Sequence, residues 1–343
     1  MSKKLKNKKI LVTGGAGFIG SNLCEYFLKN DNIVICLDNL STGYLKNMDD
    51  FINDPNFTFI EADIRDIDTC NKAVEGVDYV FHEAALGSVP RSIKDPSNTN
   101  SVNIDGFLNM LIAARDAKVK RFIYAASSST YGDSKELPKV EEHIGRPLSP
   151  YAVTKYVNEL YATIFSDLYN LETIGLRYFN VFGKRQDPNG AYAAVIPLWV
   201  KSLMKHERPI INGDGSFSRD FTYVDNVVHA NEIAAITCTQ KIRERALLYN
   251  VSLSENKTIS LIFNVAYGGN ITLIELYRSL KENLSLHDNK ISLIEPIFGP
   301  ERLGDIPHSQ ASIIKIKRML GYQPEFDAKK GFELACKWYY ENI

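Results

Sequence analysis

The 343-residue chain predicts an α/β fold built on a doubly wound parallel sheet. Three observations carry that reading. Short apolar runs of strand length recur along the first half, at Ile10–Val12, Ile33–Leu37, Phe57–Ile60, Tyr79–His82, Arg121–Ala125 and Thr173–Tyr178. Between them lie stretches with helical spacing, such as Ile19, Leu23 and Phe27, or Phe107, Leu111 and Ala114 within Asp105–Ala117. The first strand runs straight into a glycine-rich turn. Repeated strand–helix alternation of this kind builds a parallel sheet rather than hairpins.

The composition is that of a globular protein, 45% hydrophobic and 24% charged, long enough for one large core or two domains. A net charge of −1 points to no nucleic-acid or anionic-membrane partner. The basic start, Met1–Lys9, is followed by an apolar run broken at once by Thr13-Gly14-Gly15, so no signal peptide is expected, and no apolar stretch reaches the ~20 residues of a membrane span. Cys24, Cys36, Cys70, Cys238 and Cys336 are scattered without paired spacing and read as reduced thiols of a cytoplasmic protein. The histidines show no metal-ligand spacing, and no metal is expected.

Taken in order, Ile10–Val12 leads into Thr13-Gly14-Gly15-Ala16-Gly17-Phe18-Ile19-Gly20 and a helix. Strand, glycine turn and helix together form a dinucleotide site. Gly14 permits the tight turn, Gly17 lets the backbone approach a pyrophosphate, Gly20 lets helix and strand pack closely, and the helix N-terminus with Phe18 and Ile19 faces the phosphates. The second strand ends at Asp38. A carboxylate there bonds ribose hydroxyls and repels a 2′-phosphate, which favours NAD over NADP. Asn39, Ser41, Thr42 and Gly43 line the same edge. Asp63-Ile64, after the third strand, reads as an adenine clamp, and Ala84-Ala85, after the fourth, lets backbone lie close to the cofactor. His82 reads as the end of a buried strand rather than as a catalyst.

The fifth strand delivers Ser127 at its carboxyl end, where open α/β sheets bind ligands. Tyr151 and Lys155, four residues apart, share one helix face, and Ser149-Pro150 suits the helix start. An ammonium beside a phenol favours the phenolate, so the Tyr151 pKa is expected to fall toward neutrality and the phenol to act as acid and base.

With Thr13-Gly14-x-x-Gly17-x-x-Gly20, Asp38, Ser127 and Tyr151-x-x-x-Lys155 in this order, the chain resembles the extended short-chain dehydrogenase/reductases. Ala84–Ser92, Ala125–Asp133 and Leu176–Gly183 sharpen the resemblance to UDP-N-acetylglucosamine 4-epimerases of O-antigen and capsule biosynthesis, from about Lys9 to Trp338. The resemblance implies a Rossmann-type sheet of about seven strands, tightly held NAD and a homodimer. It places the NAD-binding domain at 1–187, with segments of about 220–268 returning to it, and a mainly nucleotide-sugar-binding domain at 188–343.

It also assigns roles. Tyr151 would be the base and acid at the sugar C4 hydroxyl, Lys155 would lower its pKa and hold the nicotinamide ribose, and Ser127 would bond O4. Tyr178 would line the cofactor site. Gly87, Ser88, Ser128, Ser129 and Asn180 would touch substrate, and Tyr192–Trp199, with Val195, would wall it in. Asn212 would face uracil, Arg219 and Arg302 would grip the diphosphate with planar forks, and Asp305 would bond the uridine ribose. Ser309 stands where epimerases restricted to UDP-glucose and UDP-galactose carry a bulky Tyr, so it leaves room for a 2-acetamido group.

The chain departs from its relatives at Asn270, where a basic residue is usual, at Ser312, where Asp is common, and at Leu247–Ile262, an apparent insertion expected as a surface hairpin. Sugar-nucleotide dehydratases place an Asp-Glu pair after the catalytic Ser or Thr, and decarboxylases keep a Glu there. Ser128-Ser129-Thr130 carries no carboxylate, which argues against both. A non-catalytic NAD-binding protein on this fold would be expected to lose the Tyr or Lys. Epimerases of the uronic acid UDP-N-acetylglucosaminuronate share nearly all these motifs and stay open as an alternative substrate class.

Overall fold

The computed structural model describes residues 4–189, 193–253, 258–301 and 307–342. β1 (Lys9–Thr13) leads into α1 (Phe18–Leu28), β2 (Ile33–Asp38), β3 (Phe57–Glu61), α2 (Ile67–Ala73) and β4 (Tyr79–His82). After α3 (Val89–Lys94), α4 (Pro96–Asn100) and a π-helical turn at Ser101–Asp105 comes α5 (Gly106–Asp116), then β5 (Arg121–Ser127), α6 (Pro150–Tyr169) and β6 (Thr173–Tyr178). The chain goes on through β7 (Val181–Phe182), α7 (Val195–Met204), β8 (Ile210–Asn212), β9 (Ser218–Arg219), β10 (Thr222–Tyr223), α8 (Val224–Ile236), α9 (Thr239–Tyr249) and β11 (Ser260–Val265). It closes with β12 (Ile271–Thr272), α10 (Leu273–Ser285), β13 (Ile297–Gly299), β14 (His308–Ser309), α11 (Ile314–Leu320) and α12 (Ala328–Asn342).

Seven strands form one parallel sheet in the order β11-β6-β5-β4-β1-β2-β3. This is the doubly wound Rossmann-type fold that the alternation predicted. Its strands are covered on both faces, which is why they read as continuous apolar runs instead of alternating ones. Neighbouring residues of one strand feed opposite layers: Ile10 and Val12 pack with Leu23, Phe27 and Ala230 on the α1/α8 side, while Leu11 packs with Phe107, Met110 and Leu111 on the α2/α5 side. The order reverses between β1 and β4, and that reversal opens a crevice along the carboxyl ends of the strands.

A third core, with Trp199, Leu203, Leu276, Leu280, Phe332 and Tyr339, joins α7, α10 and α12. Around it lie the small sheets β13-β8 and β12-β9-β14. In the second of these, Ser309 pairs with Arg219.

Of the segment Leu247–Ile262, expected as a hairpin, residues 254–257 lie outside the described residues, and the described parts form no hairpin. Leu247–Tyr249 is the last turn of α9, anchored by buried Ile242 and Ala246 and stopped at Asn250, whose φ of 54° is a left-handed cap. Ser260–Ile262 is the first half of the edge strand β11, which carries on through the expected Phe263–Val265. Among the described residues no helix is long and apolar enough to cross a membrane.

Candidate active site

The main cavity follows the crevice across the carboxyl ends of six strands. In sheet order it is lined by Tyr178 and Asn180 on and after β6, Ser127 on β5, Glu83–Leu86 after β4, Gly14 and Gly17 after β1, Asp38 and Asn39 on and after β2, and Asp63 and Ile64 after β3. α6 adds Tyr151 and Lys155.

The glycine turn leaves no room for a side chain at Gly14 or Gly20. Gly14 has a φ of +68°, and a Cβ on it would sit 2.7 Å from the Ala84 nitrogen. A Cβ on Gly20 would sit 2.1 Å from the Gly14 carbonyl oxygen. The first glycine therefore allows both the turn and the close approach to β4, and the second lets α1 settle on the turn. Asp38 ties this loop together: its carboxylate accepts from the Ala16 N–H at 3.0 Å and the Leu40 N–H at 2.8 Å. Burial pushes the Asp38 pKa up, and N–H donors from Leu40, Ala16 and Gly17 pull it back. Asp63 accepts from Arg65 and Asn39, and the Arg65 bonds, working against burial, hold its carboxyl down at about 2. A diphosphate fits the bare backbone of the turn, and a ribose diol fits the remaining lone pairs of Asp38, so the residues present suit a dinucleotide.

At the other end, α6 starts where the sequence predicts. The Ser149 side chain accepts from the Ala152 N–H at 3.1 Å, and Pro150 occupies the first turn. Arg177 on β6 grips Glu159 through two bonds of 2.8 Å, both side chains being buried, and lies 4.8 Å over the Tyr131 ring. That pair fixes α6 against the sheet and so sets Tyr151 and Lys155 relative to Ser127. The Ser127 oxygen accepts from the Ser129 N–H at 3.1 Å and the Ser129 hydroxyl at 2.9 Å. Its own proton is thereby left free to turn toward the Tyr151 phenol in the same cavity.

The expectation of a depressed Tyr151 pKa fails here. Burial pushes the phenol up, the Ser127 bond pulls it down, and Glu83 pushes it up again. The Lys155 ammonium instead donates to the Ala125 carbonyl at 2.8 Å. Burial lowers the Lys155 pKa to about 8, with Glu83 and Glu159 acting against it.

Of the other residues that the sequence singles out, Gly17, Phe18, Ile19, Asn39, Ser41, Thr42, Ala84, Ala85, Gly87 and Ser88 line this cavity. Ser88 has a φ of 100°, a strained conformation for a residue with a side chain. Gly43 does not line it: a Cβ there would meet Ala16 at 3.0 Å, so it packs beneath the glycine turn. Ser128 and Ser129 sit in a 3-10 turn outside the lining, and Ser129 serves Ser127. Val195, Asn212, Arg219 and Ser309 lie on α7 and the small sheets, also outside it. Arg219 donates to the Ser218 and Pro307 carbonyls. Arg302, Asp305 and Tyr192 lie outside the described residues. His82 is buried at the end of β4, bonded to the Thr13 hydroxyl at 2.9 Å and held neutral by burial, with a pKa of about 3.

Sequence reasoning missed Glu83, Arg91 and Gln186, which line the cavity. It also passed over Asp220, whose buried carboxylate collects the N–H groups of Gly268 and Ala311 and so joins β9 to two loops. Among the described residues no cluster of three or more His, Cys, Asp or Glu could hold a metal ion.

Ser127, Tyr151 and Lys155 thus meet at the switch of a doubly wound sheet, in one cavity with a glycine turn that suits a dinucleotide. The NAD dependent epimerase/dehydratase family matches residues 10–251, and the chain belongs to it, with NAD as its cofactor. It is 35% identical over 335 residues to a putative UDP-glucose 4-epimerase of Methanocaldococcus jannaschii, covering 97% of this chain and 99% of that one. Among solved structures it is similar to UDP-N-acetylglucosamine 4-epimerase from Methanobrevibacter ruminantium M1 in complex with UDP-N-acetylmuramic acid (37% identity, TM-score 0.87, 99% and 100% of the two chains covered). It is also similar to UDP-glucuronic acid 4-epimerase from Bacillus cereus (27% identity, TM-score 0.81, 98% and 100% covered).

Proposed function

We propose that the protein is a 4-epimerase interconverting UDP-N-acetylglucosamine and UDP-N-acetylgalactosamine through a 4-keto sugar. The observation that carries this is the convergence of Ser127, Tyr151 and Lys155 on the cavity that also holds Asp38 and the glycine turn. When bound, NAD supplies hydride acceptance and return at C4. Tyr151 takes the C4 hydroxyl proton and gives it back. Ser127, its oxygen fixed by two donors from Ser129, directs its proton at the phenol. Lys155, carried one helical turn away, holds the cofactor ribose and favours the phenolate once the bound sugar and cofactor have replaced its lone carbonyl contact. Gly14, Gly17, Phe18, Ile19, Asp38, Asn39, Ser41, Thr42, Asp63, Ile64, Ala84, Ala85 and Tyr178 bind NAD. Residues 1–187 with about 220–268 form the cofactor part, and 188–343 mainly the sugar part, in which Arg219 and Arg302 grip the diphosphate, Asn212 and Asp305 hold the uridine, and Ser309 admits the acetamido group. The relatives' names support the UDP-sugar class.

A second reading, the N-acetylated uronate or another acidic sugar, draws support from Arg91, which lines the cavity beside Ser88 and offers a cation for a carboxylate. We also propose a homodimer through α6. Val153, Leu160, Ile164 and Leu168 are 46–66% exposed along one stripe of that helix, opposite its buried face. A cytoplasmic setting suits the five free cysteines.

The test is incubation of the purified protein with UDP-N-acetylglucosamine, its uronate and UDP-glucose, without added NAD, followed by proton NMR. Conversion of the neutral N-acetyl sugar to its galacto epimer is expected. Conversion of the uronate alone would move the assignment to the second reading. No conversion of any, with NAD supplied, would overturn both.

A further inference from the structure

Among the described residues, Glu83 is the carboxylate that acts on both Tyr151 and Lys155 in the cavity, and the proposed mechanism gives it no work. It follows β4 directly, in the middle of the sheet, between the glycine turn on one side and Ser127 on the other. Its Oε1 accepts from the Tyr178 hydroxyl at 2.8 Å, and the Tyr178 oxygen in turn accepts from Asn231 on α8 at 2.9 Å. The charged and titratable groups facing it are Lys155 and Tyr151 from α6 and Tyr178 from β6, with neutral His82 next to it in the chain. No arginine among the described residues bonds it, and Lys155 acts on it electrostatically while bonding to the Ala125 carbonyl. A carboxylate set this way, half-buried in the cavity wall with a single neutral donor, is under-compensated. Burial accordingly pushes its pKa up to about 7, with Tyr178 and Lys155 pulling the other way.

The place of Glu83 says what would compensate it. Asp38 and Asp63 mark one end of the crevice, and the bare glycine turn marks the middle. A dinucleotide laid along these positions would bring its second ring toward Glu83, Lys155 and Tyr178, which line that end. That ring is a cation when oxidised and neutral when reduced. We infer that Glu83 is a charge-setting residue whose carboxylate favours the oxidised over the reduced state of the resident nicotinamide, with Tyr178 and Asn231 holding it in place. The inference rests on the proposed NAD site. Its value to an epimerase is direct: a cofactor that relaxes toward the oxidised state returns hydride to the 4-keto sugar instead of stranding it. With the ring reduced, the bound cofactor would carry one positive charge fewer and Glu83 would lose its counter-charge; with the ring oxidised it would regain it.

The experiment compares wild-type holoenzyme with Glu83→Gln, Glu83→Asp and Tyr178→Phe. Each is equilibrated with UDP-N-acetylglucosamine, the reduced cofactor is read at 340 nm, and total nucleotide is measured after acid release. The amide of Glu83→Gln still accepts the Tyr178 bond but carries no charge. It is expected to raise the ratio of reduced to oxidised cofactor at least tenfold. Glu83→Asp keeps the charge and should stay within about threefold of wild type. Tyr178→Phe removes the bond and leaves the charge, and should shift the ratio less than Glu83→Gln does. Stoichiometric NAD with an unchanged ratio in Glu83→Gln would overturn the inference and leave the proposed function standing, as would an equal shift in Tyr178→Phe. Protein that binds no nicotinamide at all would overturn the NAD reading and this inference with it.

Discussion

The two halves of the site are built in opposite ways. The proposed cofactor half lies along the carboxyl edge of one seven-stranded sheet, and its side chains come from strand ends, the turns that follow them and the start of α6. The proposed substrate half is assembled from β8, β9, β12, β13 and β14, strands of two or three residues paired across long stretches of chain, as where Ser309 meets Arg219. The first half is anchored because its segments leave the ends of buried strands or form the first turns of α1 and α6. The second depends on loops collected by single groups, such as the Asp220 carboxylate that binds the backbone at Gly268 and Ala311. Substitutions in the first half should therefore be all-or-none, and those in the second should sort substrates.

The largest effect is expected from Tyr151→Phe, which removes the proton acceptor and leaves the fold. Turnover should fall by roughly 10²–10⁴-fold, with bound NAD retained. Activity within a few-fold of wild type would break the assignment of chemistry to the sheet edge. Glu159→Ala comes next. It strands the buried Arg177 guanidinium and should cost about 3–5 kcal/mol in denaturant unfolding, with activity lost in proportion to α6 drifting from Ser127. A loss below ~1 kcal/mol would show that the pair is not what holds the helix.

In the substrate half, Ser309→Tyr should lower kcat/KM for N-acetylated sugars by at least about tenfold, ~1.4 kcal/mol, while sparing UDP-glucose. Equal loss on both would remove Ser309 as the size gate. The smallest effect concerns pH. Burial holds Lys155 at about 8, so its ammonium is lost as pH rises through that value and activity should decline on the alkaline side. Glu83 stabilises that cation. Replacing Glu83 by Gln removes the support, lowers the Lys155 pKa and should move the alkaline limb to lower pH. A limb that stays put or moves upward would contradict this electrostatic account of the pair.

The same contrast explains what the sequence disclosed. Gly14, Gly17, Asp38, Ser127, Tyr151 and Lys155 could be read because local geometry dictates them: a tight turn, a strand end, one helical face. Periodicity put Tyr151 and Lys155 on the same side of α6, but not the Ala125 carbonyl that Lys155 meets, so the depressed phenol was expected and not found. Glu83 was passed over because, in Tyr79-Val80-Phe81-His82-Glu83-Ala84-Ala85, it looks like the polar exit of a strand. Leu247–Tyr249 read as part of a hairpin because the residues resemble a later strand, whereas burial of Ile242 and Ala246 makes them a helix end. No local pattern announces a two-residue strand such as His308–Ser309.

The central claim is that the C4 hydrogen leaves the sugar as hydride and comes back from the same bound cofactor without meeting solvent. The direct measurement uses UDP-N-acetylglucosamine deuterated at C4, turned over in ordinary water without added NAD, with the product read by proton NMR and mass spectrometry. The galacto product is expected to keep its deuterium at C4. Product with hydrogen at C4 would contradict the account, since it would mean that this carbon exchanges with solvent and that Tyr151, Ser127 and Lys155 serve a different reaction.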